Sequence, residues 1–181
     1  ADHQDLWTAL GHQWPSYAAY VVSFLVIGIM WTNHHQVFSH ISKVDRTLVF
    51  LNLMLLLVVA AMPWPTHLVA EYLRHGSQGN DAVAVYSAFM VAHALTFSAF
   101  WWYVTRTGHL FYPEVDTAAA RATRLRFALG SFVYPVLFGL SFLADLTTLL
   151  LHGLLAVYYA FNQLPIPTIA SAAEQAPSDG P

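Results

Sequence analysis

The sequence predicts an all-α, polytopic membrane helix bundle, with five spans here of a six-span unit, and three observations predict it. Of its 181 residues 57% are hydrophobic and only 9% charged, against about 25% charged in an ordinary soluble domain. The charges stand in groups separated by long uncharged stretches, and a charged side chain at mid-bilayer costs about 2.5–3.5 kcal/mol on insertion scales. Lys and Arg also concentrate in alternate loops, as expected of a chain that crosses a bilayer repeatedly. A net charge of −3 without a basic cluster argues against nucleic acid as a partner. The absence of cysteine excludes disulfides, thiolate metal sites and cysteine nucleophiles.

The spans follow from the gaps between charges. Nothing between Asp5 and Lys43 is charged, and its apolar part, residues 17–38, can cross about 30 Å of hydrocarbon. Residues 47–70, with the core LVFLNLMLLLVVAAM, return after a short loop and are interrupted by Pro63, Trp64 and Pro65. A third span covers residues 82–105, where Trp101, Trp102 and Tyr103 form an interfacial belt ahead of Arg106. The stretch from Phe127 to Asn162 holds one charge, Asp145, and as one helix would measure about 54 Å. Two spans, residues 127–144 and 146–162, fit better, with Asp145 as a water-facing helix cap at the turn. Gly130, Ser131, Gly139, Ser141 and Gly153 are small residues that allow close helix approach in these two spans. Residues 1–162 thus form the bundle, and the Pro, Ala and Ser-rich residues 163–181 read as a disordered tail.

Six basic residues (Lys43, Arg46, Arg106, Arg121, Arg124 and Arg126) fall in two alternating loops, and Arg74 alone in the loop between them. The first two loops are therefore expected in the cytoplasm of a prokaryotic inner membrane, with the C-terminus inside and Ala1 outside. An odd number of spans with Ala1 outside points to a further helix upstream, and Leu6 to Trp14 would be an external amphipathic connector. Arg121, Arg124 and Arg126 read as anchors to anionic headgroups.

The sequence has no glycine-rich phosphate loop, nucleophile elbow or metalloprotease helix, so no enzyme is expected. Polar residues inside spans carry more weight. Trp31, His34 and Phe38 share helical spacing, with His35 adjacent, and Asn52 lies at matching depth on the next span. A His34–Asn52 hydrogen bond would satisfy both, either as interhelical glue alone or with a further role. His93 and His152 read as core histidines, proton-relay members or haem ligands.

The stretches WTNHHQVF, KVDRTLVFLNL and LVVAAMPWPT resemble the second and third helices of the transmembrane protein 175 family of potassium channels. Trp31, His34, Phe38, Asp45, Leu48, Asn52 and Pro63 fall on that family's pattern, and the match is specific over residues 31–66. The resemblance implies a passive, potassium-permeable cation channel, also proton-permeable in some members, built as a homotetramer of six-helix units. Potassium would be the permeant species, with no cofactor and no metal site. It also implies a pore-lining first helix with an Arg and a Phe-Ser-Asp signature, which this sequence does not contain. Trp31, His34 and Asn52 would hold that helix through its Ser and Asp, with His35, Phe38, Asp45, His93 and His152 as secondary candidates. The competing expectation is a membrane redox protein with b-type haem between His34 or His35 and His93 or His152. A transporter of paired discontinuous helices ranks below both.

Overall fold

The structure, a computed structural model, describes residues 14–73 and 77–161. The amphipathic connector expected before Trp14 and the tail after Asn162 lie outside the described residues. So do Arg74 and the side chain of Arg126.

Helix α1 (Trp14–Phe38) covers the first expected span, and a short loop leads to α2 (Arg46–Ala61). Asp45 starts α2 as an N-cap, its side chain accepting from the Leu48 amide at 2.8 Å, which satisfies one of the donors every helix start leaves free. The proline break is a step between helices: α2 ends at Ala61 and α3 (Pro63–Tyr72) restarts with Pro63 at its first position. Proline is tolerated there because the first-turn N–H has no intrahelical acceptor.

Helix α4 (Ser77–Thr107) is longer than its expected span at both ends, measuring about 46 Å. Gly108 terminates it in the left-handed conformation, φ +67°, with its amide bonded to the Val104 carbonyl, a geometry open to glycine at little cost. Two short helices, α5 (Thr117–Ala122) and α6 (Arg124–Phe127), lead into α7 (Leu129–Ser141), followed by α8 (Asp145–Phe161).

By length and composition three helical stretches can each cross a bilayer, namely Tyr17–Phe38, Arg46–Tyr72 and Ser77–Thr107. The fourth expected span, residues 127–144, is shorter than the reading from charge gaps, while the fifth keeps its length and is displaced by one residue. Leu129–Ser141 has 13 residues and Asp145–Phe161 has 17, about 20 and 26 Å. The break near Ala128 and the stop after Ser141 limit the first of these, while Pro135 lies inside α7 without ending it.

The long α4 is the hub, packed against α2, α3, α6, α7 and α8, while α1 lies along α3. The core forms two clusters. One joins Val37, Ile41 and Leu48 to Phe100, Trp101, Val104, Leu110 and Phe111. The other joins Met30, Met62 and Val69 to Val83, Tyr86, Met90, Ala94, Tyr134 and Leu137. The two basic loops meet at one end of the bundle. Ser42 and Lys43 amides donate to the Leu110 carbonyl at 2.8 and 3.2 Å, Tyr112 N–H donates to His40 O at 3.1 Å, and Ile41 bridges Phe111. Among the expected small contacts, Gly130 does bring helices close: a Cβ there would sit 3.2 Å from that of Ala94, whereas Gly139 and Gly153 face open space.

Candidate functional site

His34 and Asn52 meet. The His34 Nε2–H donates to Asn52 Oδ1 at 2.8 Å, joining α1 to α2, and both residues are half-buried. Their positions follow from chain reversal, because a short loop brings the end of α1 and the start of α2 to the same depth. Phe38, one turn further along α1, lies against the His34 ring at 4.4 Å, and Phe100 of α4 stacks on Phe38 at 5.3 Å. An aromatic wall thus backs the pair from one side. His34 Nδ1 and the Asn52 amide nitrogen have no partner among the described residues.

Trp31 does not join that pair. It is 59% exposed and stacks on His35, with ring centroids 5.0 Å apart and planes 4° apart. The i, i+4 contact to His35 displaces the i, i+3 alignment with His34, because side chains four apart lie nearly one above the other on a helix.

Asp45 caps α2 and also accepts from the Tyr103 hydroxyl of α4. These two bonds, the Tyr103 one first, hold its carboxyl below the usual carboxylate range. Asp45 therefore ties α2 to α4 at the basic end, a link nothing in the local sequence announces.

His152 of α8 is buried and shares a 2.9 Å hydrogen bond between its Nε2 and Ser87 Oγ of α4. Its ring stacks on Tyr134 and meets Tyr86 edge-on, at 5.5 and 5.1 Å, and its Nδ1 has no partner. His93 lines a cavity of about 100 Å³ together with Asn33, Gln36, Tyr134 and Tyr159. The bis-histidine haem expectation finds no support: His34 and His152 each commit Nε2 to a neighbour, Asn52 and Ser87. His35 stacks on Trp31. Among the described residues no three His, Asp or Glu gather as a metal site.

Two further arrangements were not visible in the sequence. One is the Ser87–His152 pair, whose members stand 65 residues apart. The other lies at the end of α4, where Arg121 Nε–H donates to the Thr105 carbonyl at 3.0 Å and Arg124 Nε–H to Thr105 Oγ1 at 2.7 Å.

Comparison with known proteins adds a consistent set of likenesses. The family described as "Endosomal/lysosomal potassium channel TMEM175" matches residues 1–63. A potassium channel of Streptomyces collinus is 66% identical over 168 residues, covering 93% of this chain and 82% of its own length. A potassium channel of Chamaesiphon minutus is 35% identical over 149 residues, covering 82% of this chain and 73% of its own. The crystal structure of a lysosomal potassium-selective channel TMEM175 homolog from Chamaesiphon minutus superposes with a TM-score of 0.72 at 32% identity. That match covers 88% of this chain and 80% of the solved one.

Proposed function

Since the chain belongs to the TMEM175 family of potassium channels, we propose that it is a subunit of a potassium-permeable cation channel. It conducts passively, as a homotetramer in a prokaryotic cell membrane, and is not an enzyme. The carrying observation is its 66% identity, over nearly its whole length, to a protein named as a potassium channel. The end that gathers Lys43, Arg46, Arg106, Arg121 and Arg124 faces the cytoplasm, the preference of basic loops. Potassium is the permeant species and the conducting cycle uses no cofactor.

Within this reading His34 and Asn52 are positioning residues. Their mutual bond fixes both side chains, and each keeps a nitrogen without a partner among the described residues, so they can hold a further helix. Trp31 belongs to the same surface through exposure and the stack on His35 rather than through a bond to the pair. A polar contact of this kind in a bilayer is worth about 0.6–1.7 kcal/mol, enough to orient a helix without dominating stability.

Potassium flux into proteoliposomes carrying the purified full-length protein tests the proposal. The expected result is flux driven by a potassium gradient without added energy source, reduced in Asn52→Leu. No flux from correctly assembled protein overturns the channel reading. Unchanged flux in Asn52→Leu removes the positioning role alone.

A further inference from the structure

Where α4 ends, two arginines converge on one threonine. Thr105 is fully buried, and its hydroxyl donates to the Trp101 carbonyl at 2.8 Å. Its backbone oxygen and its hydroxyl oxygen then accept from Arg121 and Arg124, each through Nε. Both acceptors belong to one residue, so the two guanidinium groups are anchored at the same point of α4. Gly108 lies alongside: a Cβ there would be in ordinary contact with an Arg121 terminal nitrogen, at 3.6 Å.

The terminal Nη groups of both arginines meet no acceptor among the described residues. The carboxylates at this end are turned elsewhere. Asp116 caps α5 through the Ala118 and Ala119 amides, Asp45 is engaged by Leu48 and Tyr103, and Glu114 is exposed. Among the described residues the ion pair within 4 Å is His67–Glu71, in α3. Two like charges brought together without a counter-charge repel, so their arrangement suits an anion that accepts from both. Beside them Leu125 of α6 and Leu129, Phe132 and Val136 of α7 are all exposed, and the spacing of three and four puts the last three on one stripe along α7. The chemistry is a phosphate at the arginines with an apolar tail along that stripe.

We infer that Arg121 and Arg124 clamp the phosphate of an anionic phospholipid whose acyl chain lies along Leu125, Leu129, Phe132 and Val136. The clamp is built by Thr105 and needs only that the end of α4 stand at headgroup level. It is independent of whether the protein conducts. Thr105 holds the Nε edges, which leaves the end-on Nη pairs to bind the phosphate oxygens. An exposed apolar stripe distinguishes the lipid from free phosphate, which has no use for it.

Native mass spectrometry of the purified full-length protein in detergent tests this, with phosphatidylglycerol, phosphatidylcholine and inorganic phosphate as probes. The expected result is phosphatidylglycerol retained in preference to phosphatidylcholine and not displaced by an equal concentration of inorganic phosphate. The double substitution R121Q/R124Q then weakens retention by about thirtyfold, the loss of two interfacial cations. Phe132→Ser weakens it less while leaving the charge intact. Equal retention of the two lipids overturns the clamp, as does displacement by inorganic phosphate, which would mark a free-anion site. Full retention by folded R121Q/R124Q also overturns it. Should that variant fail to fold, the lipid preference of the unaltered protein decides by itself.

Discussion

The two core clusters hold the same helices together by different means. At the end that gathers the basic loops, aromatic rings pack in series from Phe38 through Phe100, with Trp101 against Phe111. Loop amides, caps and arginines satisfy the polar groups around them. In the other half Met, Tyr and Leu side chains pack around one close approach of small residues, Gly130 against Ala94. Isolated polar pairs complete it: Ser98 with Ser131 at 2.8 Å, and Ser87 with His152 at 2.9 Å. Lipid tails are as apolar as leucine, so burial drives little helix association within the hydrocarbon and shape complementarity must do it. Near water, backbone ends need partners and loops supply them. One cluster should fail through lost volume, the other through added volume or lost pairing.

The largest effect is expected from Trp101→Ala. Trp101 is 1% exposed and its indole N–H donates to Thr123 Oγ1 at 3.2 Å, so truncation should cost about 3–5 kcal/mol. Thermal unfolding in detergent measures it, and a loss below that of Gly130→Val would break the contrast. Gly130→Val adds volume where a Cβ already meets Ala94 and Tyr134 at 3.2 and 3.1 Å, for about 1–3 kcal/mol. Gly139→Val, which faces open space, is the matched control and should be nearly neutral. Ser87→Ala strands His152, whose Nδ1 is already without a partner, at about 1–3 kcal/mol. The double variant Ser87→Ala with His152→Leu should recover much of that loss, since no polar atom then remains to satisfy.

Asn52→Leu should cost only about 0.6–1.7 kcal/mol of stability, while potassium flux falls far more. A proportional fall in both would reduce the pair to glue. The smallest effect concerns Asp45. Its carboxyl titrates below the ordinary range because Tyr103 and the Leu48 amide bond to the charged form. Its contribution is therefore complete above the unfolded value and fades as pH drops through the lowered folded one. Acid unfolding of Asp45→Asn should lose that component, and identical acid profiles for the two proteins would contradict it.

Much of this was readable from local chemistry. Spacing between charges located the helices, and a short loop between α1 and α2 brought His34 and Asn52 to one depth, so their bond could be expected. Trp31 could not be placed the same way, because both His34 and His35 lie within reach of it on a helix and only packing chose His35. Charge gaps do not reveal the length of α7, because the break at Ala128 acts on the backbone without altering hydropathy. Ser87 carries no signal of its own, and its partner is on another helix.

What the sequence by itself determined is which segments are helical rods suited to lipid and which loops share an end, since charge penalties and caps act over a few residues. The tertiary structure alone decided how each rod is rotated. Rotation sets which polar side chain meets which, and it depends on shape complementarity between helices far apart in the chain. That is why Ser87 found His152, and why two arginines found Thr105.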